Sequence, residues 1–471
     1  MNSVRRLAPF AALLCLIVPN APTDRLIAQG GKQALLSGAD VVAVTHPTPR
    51  AHQALRRAPG ADIVPGQLVV KFADGLAERQ TAAMISRAGG RSARRARHAD
   101  FVLMQLEDGV SPHDAARRLA AEPGVVYAEP AARRYALFTP NDPLYELQWN
   151  LQKLEFERAW DINRGGVSSV IVAVLDSGVA YRTQGGVAQA PDLAGTTFVD
   201  GYDFIWDDDL PFDLDGHGTH VTGTIAQTTN NSAGTAGIAF NVSIMPVKTI
   251  GGDWDVVLGA PNVGTSATVA EAVRFAADRG AKVINLSIGG ASSSTAEREA
   301  VQYAVDKGVV VVAAAGNDGD DGSPPSYPAA YARDIDGAIA VAAVDFALQR
   351  APYSNVNDYV EIAAPGGNID VDLNEDGYGD GVLQQTLDPD FVNDFRFDEF
   401  AYIFFQGTSM ATPHVAGLAA LLIDQGITDP KAVEAALKRF ATEAGAAGRD
   451  DEYGYGIINP RETLRGLGLS R

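Results

Sequence analysis

The sequence predicts a large α/β domain built on a parallel sheet and, before it, a small α+β domain. Two continuous apolar runs, at residues 170–175 and 309–315, have the length and composition of strands buried on both faces of a parallel sheet. Polar residues follow both runs, and open α/β sheets place their sites beyond the carboxyl ends of their strands. Residues 61–135 carry shorter elements that alternate between strand and helix patterns, which predicts a separate small domain.

The small domain is predicted to contain three strands and two helices. The second helix has Ser111 as a candidate N-cap, because a serine side chain there accepts a hydrogen bond from the first turn. The strands are expected at residues 65–72, 101–106 and 125–130, and the helices at residues 78–88 and 111–122.

Candidates for nucleophilic chemistry lie on three segments far apart in the chain. Asp176 follows the first buried strand, and His217 opens a helix-like stretch of small residues. Ser409 precedes an apolar helical pattern at residues 411–423. A serine hydroxyl becomes a good nucleophile only when a base lies within hydrogen-bonding distance and a carboxylate orients that base. A serine at a helix N-terminus also has backbone N–H groups nearby, which favour a developing oxyanion.

The segments around these candidates resemble the subtilisin-like serine proteases. Residues 172–178, 216–221 and 407–414 give the chain order Asp, His, Ser, which differs from the order in chymotrypsin-like and α/β-hydrolase enzymes. The resemblance covers residues 140–465. It implies a three-layer subtilisin-like fold and a serine endopeptidase that hydrolyses peptide bonds through an acyl-enzyme.

The resemblance also implies the roles of single residues. Asp176, His217 and Ser409 would form the catalytic triad. Asn317 would supply the side-chain donor of the oxyanion hole, and losing such a donor typically costs about 3–4 kcal/mol of transition-state stabilisation. Protein or peptide substrates would bind along a second set of residues, namely Ser287, Ile288, Gly289, Ala314 and Gly316.

Each candidate has an ordinary structural interpretation when it is taken alone. Asp176 and Asn317 could be strand-end turn residues, and Ser409 could be a helix N-cap. His217 and His220 could indicate a metal site, but no glutamate lies between them and no third ligand is evident. An inactive subtilase-like binding or scaffold protein is the alternative function, and it would be favoured by loss of a triad residue. An α/β-hydrolase esterase would need a G-x-S-x-G motif, whose last glycine is replaced here by alanine.

The N-terminal residues have the layout of a secretory signal peptide. Two arginines precede an apolar stretch at residues 7–18, which is too short to span a membrane. We therefore expect a signal peptide over residues 1–28, a linker over residues 29–60, and a secreted, extracellular protein without stable membrane insertion. Cys15 is the only cysteine and would be lost with the leader. A periplasmic or lipid-anchored enzyme is the alternative.

The small domain resembles the inhibitory propeptide of subtilisin-like proteases. We expect this propeptide, with a small ferredoxin-like α+β fold, over residues 61–135 and the peptidase domain over residues 140–468. An independent ferredoxin-like domain is the alternative for the smaller segment. Residues 1–135 have 18 basic and 11 acidic residues, whereas the remainder has 20 basic and 47 acidic residues. Opposite charges would help the propeptide dock as an intramolecular inhibitor, and the acidic remainder disfavours nucleic-acid binding. The expected enzyme is a monomer made as a self-processed zymogen.

An acidic loop predicts a calcium site. Oxygen-bearing side chains alternate over residues 372–380, with Gly377 at the turn, which matches most of an EF-hand loop. The twelfth position is Leu383 instead of the bidentate glutamate, so the loop would need other ligands. A solvated acidic turn is the alternative. The candidate ligands are Asp372, Asn374, Asp376 and Asp380.

A second calcium site is implied by the family resemblance alone. Residues 141–145 are similar to the N-terminus of thermitase-like members, and the surrounding pattern is similar to the strong calcium site of the family. One or two calcium ions are therefore expected. Residues 366–402 are longer than ordinary loops and are expected to be a calcium-bearing insertion beside the substrate cleft. The implied side-chain ligands of the second site are Asp142, Asp192 and Asn231.

Overall fold

The computed structural model describes residues 34–36, 63–132 and 138–468. The described chain divides into a large unit, residues 34–36, 140–156 and 163–468, and a small unit, residues 63–132, 138–139 and 157–162. The predicted signal peptide and nearly all of the predicted linker lie outside the described residues. Within the described part of the chain, no helix combines the length and apolar composition needed to cross a membrane.

The elements are numbered in chain order. The strands are β1 (Ala34–Leu36), β2 (Ile63–Phe72), β3 (Gly90–Arg95), β4 (Val102–Leu106), β5 (Val125–Ala132), β6 (Ile171–Asp176), β7 (Thr197–Phe198), β8 (Tyr202–Asp203), β9 (Ser243–Lys248), β10 (Val283–Leu286), β11 (Val310–Ala314), β12 (Ala338–Val344), β13 (Ile362–Pro365), β14 (Val382–Leu387) and β15 (Phe400–Phe405). The helices are α1 (Glu78–Arg87), α2 (Pro112–Ala120), α3 (Trp149–Lys153), α4 (Phe156–Trp160), α5 (His217–Ala226), α6 (Asp253–Val257), α7 (Ser266–Asp278), α8 (Thr295–Asp306), α9 (Pro389–Asn393), α10 (Thr408–Asp424), α11 (Pro430–Phe440) and α12 (Pro460–Gly468).

The small unit is an antiparallel sheet with two helices, which confirms the predicted ferredoxin-like α+β fold. Its strands run in the order β3-β4-β2-β5, and α1 and α2 supply buried residues to the same core. Ser111 caps α2 by accepting a hydrogen bond from the Asp114 N–H at 3.4 Å. Strand β3 was not predicted, because its sequence GRSARR has no apolar alternation and most of it is exposed.

The large unit contains the predicted parallel sheet. Its strands run in the order β13-β12-β11-β10-β6-β9-β7, and β8 also pairs with β9. The apolar runs that predicted β6 and β11 are buried almost throughout, as expected for strands covered on both faces. Helix α10 packs against β10 to β13, while α7 and α8 pack on each other and on the sheet. The predicted subtilisin-like α/β fold is thereby confirmed.

Residues 366–402 are more ordered than a single long loop. They contain β14, α9 and the first residues of β15, and β14 pairs with β15 in a separate antiparallel hairpin that leads into α10. Leu383, the predicted twelfth loop position, therefore lies inside a strand. The strand was missed because Gln384, Gln385 and Thr386 are polar, yet all three are buried and hydrogen-bonded to distant parts of the chain.

Candidate active site

The four predicted catalytic residues lie where strands end and helices begin. Asp176 is the last residue of β6, and Asn317 follows β11 by three residues. Because β6, β10 and β11 are adjacent and parallel, their carboxyl ends share one edge of the sheet. His217 is the first residue of α5, and Ser409 is the second residue of α10.

Asp176 and His217 form a direct pair. The Nδ1 atom of His217 lies 2.7 Å from Oδ1 of Asp176, and the Asp176 side chain has no solvent exposure. Burial lowers the pKa of His217, but the charge and the hydrogen bond of Asp176 oppose this effect, so that the pKa is raised from 6.5 to about 9. An imidazole held in this way has a fixed ring orientation, which leaves Nε2 for chemistry.

Asp213, which the sequence analysis did not select, holds the start of α5. Its buried carboxylate accepts hydrogen bonds from the Ser177 hydroxyl at 3.0 Å and the Gly216 N–H at 2.8 Å. Its other oxygen accepts from the Thr219 N–H at 2.9 Å and the Thr219 hydroxyl at 2.6 Å. Asp213 therefore joins the end of β6 to the N-terminus of α5. An aspartate within a few residues of a helix start can accept its free N–H groups, and this signal could have identified Asp213.

Ser409 is joined to the segment after β10 by reciprocal hydrogen bonds. The Ser409 hydroxyl donates to the Ser287 carbonyl oxygen at 3.0 Å, and the Ser287 hydroxyl donates to the Ser409 carbonyl oxygen at 2.8 Å. The Ser409 side chain is thus not buried in the helix but directed toward the predicted substrate segment. A transfer of the Ser409 proton to His217 would require the hydroxyl to leave this bond.

The predicted oxyanion donors flank a glycine. Oδ1 of Asn317 accepts from the Thr408 N–H at 2.9 Å and the Thr408 hydroxyl at 2.8 Å, so its amide nitrogen is turned away from both. A Cβ atom added to Gly407 would lie 3.5 Å from Nδ2 of Asn317 and 3.6 Å from N of Ser409. Both nitrogens therefore border the space that Gly407 leaves open, which is the arrangement an oxyanion needs.

The predicted substrate-binding residues border this site. Ile288 is partly exposed and Gly289 is exposed, directly after the buried β10. A Cβ atom added to Gly289 would lie 2.4 Å from the Ser326 hydroxyl oxygen, so a larger residue would have to displace that hydroxyl. Ala314 ends β11, and Gly316 has a φ of +108° and donates its N–H to the Thr408 hydroxyl at 3.3 Å.

The predicted ligands of one calcium site lie close together. Asp142 and Asp192 are buried, and Asn231 donates to Oδ1 of Asp192 at 2.9 Å. Oδ1 of Asp142 is buried, and no described residue donates a hydrogen bond to it. Burial raises the pKa of Asp192 to about 6, and the neighbouring charge of Asp142 adds to this shift. Two buried carboxylates with an orphaned oxygen fit a cation.

The acidic loop folds around its own side chains. Asp372 accepts from the Gly377 N–H at 3.1 Å, and Asn374 donates to Asp376 at 2.9 Å. Asp380 is buried at the end of the loop. One oxygen accepts from the Leu373 N–H at 2.7 Å, while Oδ1 has no donor within the part of the chain that the structure describes. Burial raises the pKa of Asp380 to about 6, and the charges of Asp376 and Asp372 contribute further.

Neither cluster is a metal site made of charged side chains alone. Among the described residues, no group of three or more His, Cys, Asp or Glu side chains could hold an ion. A calcium ion at either place would need amide and backbone carbonyl oxygens, which calcium commonly uses. His220 belongs to the core: its Nε2 lies 3.0 Å from the carbonyl oxygens of Val382 and Ile403, and its ring stacks on Phe405.

Comparison with known proteins places this fold in a class of serine endopeptidases. The family model "Subtilase family" matches residues 168–456, and the chain belongs to that family. The model "Fervidolysin N-terminal prodomain" matches residues 49–131, so the chain also carries a prodomain of that type. The family assignment and the enzyme class expected from the sequence are both confirmed.

The chain is similar to several known proteases. It is 38% identical to thermitase of Thermoactinomyces vulgaris over 66% of this chain and 94% of that protein. It is 37% identical to the thermophilic serine proteinase of Bacillus sp. strain AK1 over 72% of this chain and 73% of that protein. The crystal structure of fervidolysin from Fervidobacterium pennivorans, described as keratinolytic, matches with 26% identity and a TM-score of 0.55 over 87% of this chain and 62% of that one.

Proposed function

We propose that this chain is the precursor of a secreted, calcium-binding serine endopeptidase in which Asp176, His217 and Ser409 act as the catalytic triad. The 2.7 Å contact between His217 and the buried Asp176 is the observation that carries the proposal. A charged carboxylate without solvent exposure costs free energy unless it is paired. The contact with His217 offsets this cost for Asp176, whereas a carboxylate in a purely structural turn can stay in water and needs no such partner.

In the proposed mechanism, Ser409 attacks the carbonyl carbon of the scissile peptide bond. Nε2 of His217 accepts the hydroxyl proton, and Asp176 stabilises the resulting imidazolium. The amide nitrogen of Asn317 and the Ser409 N–H stabilise the oxyanion. His217 then donates its proton to the leaving amine, which leaves an acyl group on Ser409. His217 next activates a water molecule, which hydrolyses this ester.

Replacing the nucleophile tests the triad. Ser409→Ala should lower kcat on a peptide substrate by about six orders of magnitude and abolish labelling by a fluorophosphonate probe, because the covalent step is lost. Ser292→Ala, at an exposed serine after β10, is the matched control and should keep both activities. Labelling of a folded Ser409→Ala protein at the wild-type level would refute the assignment.

The prodomain is proposed to act as an intramolecular inhibitor that the enzyme removes itself. Cleavage is expected between residues 131 and 141, upstream of Asp142. In a heterologous host, Ser409→Ala should accumulate as the uncleaved precursor, whereas N-terminal sequencing of the wild type should start within this window. The isolated segment from residue 61 to the cut should inhibit the mature enzyme less strongly as salt rises, because charge attraction is screened. Normal maturation of Ser409→Ala without other proteases would exclude self-processing.

Calcium is proposed at the two acidic clusters. Asp142, Asp192 and Asn231 would hold one ion, and the loop that ends at Asp380 would hold another. The orphaned oxygens of Asp142 and Asp380 support this assignment, because each is a buried acceptor that lacks a donor. A bound calcium ion would stabilise the native state by mass action.

Differential scanning calorimetry tests the two sites separately. The wild type should melt at a higher temperature in excess calcium than in excess chelator. Asp192→Ala should remove the part of this difference that belongs to the first site, and Asp376→Ala the part that belongs to the loop. Equal melting temperatures of the wild type in both buffers would show that neither cluster binds calcium in a way that matters for stability.

Secretion and a monomeric state complete the proposal. The arginine-then-apolar layout of residues 1–28 supports export, and the acidic composition of residues 136–471 suits a soluble secreted enzyme. The proposed boundaries are a signal peptide over residues 1–28, a linker over residues 29–60, the propeptide over residues 61–135 and the peptidase domain over residues 140–468. Analytical ultracentrifugation of the culture-supernatant protein checks both the export and the oligomeric state.

A further inference from the structure

The hydroxyl of Tyr353 joins two backbone segments beside the helix that carries Ser409. Tyr353 lies between β12 and β13. Its hydroxyl donates to the Gly367 carbonyl oxygen at 2.7 Å and accepts the Gly407 N–H at 3.0 Å. Gly367 follows β13 by two residues, and Gly407 directly precedes α10. One side chain therefore connects the end of a sheet strand to the residues that lead into the candidate nucleophile.

The backbone around this hydroxyl is closely packed. A Cβ atom added to Gly366 would lie 2.8 Å from Oη of Tyr353, so the hydroxyl lies directly against the chain there. The Gly407 N–H is shared with a second acceptor, the Gly366 carbonyl oxygen, at 3.1 Å. The Gly407 peptide is therefore held by one side-chain acceptor and one backbone acceptor.

Side chains hold two successive peptide groups directly before Ser409. Tyr353 accepts the Gly407 N–H, and Oδ1 of Asn317 accepts the Thr408 N–H at 2.9 Å. The next N–H in the chain is that of Ser409, which is the backbone donor proposed for the oxyanion. Because each peptide group is planar, holding the two groups before Ser409 restricts the direction in which its N–H points.

The Tyr353 hydroxyl keeps its proton at the pH values at which His217 titrates. Burial raises the pKa of Tyr353 well above its ordinary value of 10.0, although the hydrogen bond with Gly407 acts in the opposite direction. A neutral phenol can donate one hydrogen bond and accept another at the same time. Both contacts of Tyr353 therefore persist during turnover, and the residue is neither an acid nor a base of the reaction.

We propose that Tyr353 is a positioning residue of the oxyanion site: its hydroxyl holds the Gly407 peptide so that the Ser409 N–H is directed at the developing negative charge. Preorganised donors stabilise a transition state strongly because they need no rearrangement when the charge forms. A residue that fixes such a donor should therefore affect the transition state and not the bound substrate. This inference rests on the proposed peptidase function and adds a residue outside the triad and the side-chain donor.

A purely structural hydrogen bond is the alternative role for the Tyr353 hydroxyl. Removing the hydroxyl would then lower stability and leave the transition state untouched. The place of the contact favours the positioning role, because Gly407 borders the space proposed for the oxyanion. A Cβ atom added to Gly407 would lie 3.5 Å from Nδ2 of Asn317 and 3.6 Å from N of Ser409.

Two inhibitors, of which only one mimics the transition state, test the proposal on Tyr353→Phe. A peptide boronic acid forms a tetrahedral adduct with a nucleophilic serine and so resembles the oxyanion intermediate, whereas the same peptide with its scissile carbonyl reduced to a methylene has no such oxygen. In the variant, kcat should fall by about 10-fold and the inhibition constant of the boronic acid should rise by about 10-fold, which is less than the loss of about 100-fold or more when a donor is removed. KM and the inhibition constant of the reduced peptide should not change.

Tyr453→Phe is the matched control. Tyr453 is buried, and its hydroxyl likewise accepts a backbone N–H, that of Arg350 at 2.9 Å. Its removal should leave kcat and both inhibition constants unchanged. Active-site titration with a fluorophosphonate probe normalises kcat to the folded enzyme, so a loss of stability alone cannot produce the result expected for Tyr353→Phe.

The outcomes separate this inference from the function on which it rests. An unchanged kcat and an unchanged affinity for the boronic acid in Tyr353→Phe would refute the positioning role while the peptidase function stands. Equal weakening of the boronic acid and the reduced peptide would also refute it, because the hydroxyl would then support substrate binding in general. A wild type that cleaves no peptide and resists fluorophosphonate labelling would refute the function itself, and the inference with it.

Discussion

The charge of Asp176 should determine the proton affinity of His217, and Asp176→Asn tests this relation. Burial alone would lower the pKa of His217, but Asp176, 2.7 Å away and fully buried, reverses the shift and raises the pKa to about 9. A general base accepts a proton only in its neutral form. The wild-type kcat/KM should therefore rise with pH through the neutral range and level off above about pH 9.

The structure sets the expected size of the effect. The rise of the pKa of His217 from 6.5 to about 9 corresponds to about 3 kcal/mol of preference for the protonated ring. An amide at position 176 removes the charge but not the burial, so the pKa of His217 should fall, and the acid limb should move down with it. The charges of Asp215 and Asp213, which also raise this pKa, remain in the variant. The remaining kcat should drop by about 10⁴-fold, because an amide favours the wrong imidazole tautomer.

The assay is kcat/KM against pH for one peptide substrate, with circular dichroism to confirm folding. Glu299→Gln, at an exposed residue of α8, removes the same unit of charge and should leave the acid limb where it is in the wild type. If Asp176→Asn keeps the wild-type acid limb, Asp176 does not control the proton on His217, and the proposed pair is wrong.

Three further predictions concern the oxyanion site, the buried ion pair and cations. Gly407→Ala should lower kcat by about 100-fold with little change in KM, as measured by steady-state kinetics. The new Cβ would lie 3.5 Å from Nδ2 of Asn317, in the space proposed for the oxyanion, and the backbone φ of +149° disfavours alanine. Lys248→Met should lower the free energy of unfolding, measured by urea titration, by about 3–5 kcal/mol, because it leaves Asp255 buried without its cation. Lys248→Arg, which keeps the charge, should lose less stability in the same titration. Excess chelator should lower the melting temperature by several degrees and speed autolysis, and unchanged melting would contradict both proposed cation sites.

Residues whose surroundings are local could be predicted from the sequence. The apolar runs at β6 and β11 are continuous because both faces are covered, and the predicted positions of Asp176 and Asn317 follow from where those runs end. The N-cap of α2 could also be predicted, because the hydrogen bond that Ser111 accepts comes from the next turn of the chain.

Residues whose partners are distant in sequence could not be predicted. Strand β14 contains Gln384 and Thr386, whose polarity suggests exposure, but their partners at Ala236 and Gly216 are more than 140 residues away. The contact between Trp254 and Phe395 was missed for a similar reason: nothing in the local pattern around Trp254 indicates that Phe395 lies against it. Such pairings depend on the tertiary fold and not on periodicity.

Strand β14 connects the proposed calcium site to the helix of the catalytic base. Gln385 accepts a hydrogen bond from the Asp192 N–H at 2.8 Å, and the next residue, Thr386, donates to the Gly216 carbonyl oxygen directly before His217. Two adjacent residues of β14 therefore contact a proposed ion ligand and the N-terminus of α5. Loss of the ion would displace β14 and, with it, the helix that carries His217, before the chain unfolds. Turnover should therefore decline at temperatures where the chain is still fully folded.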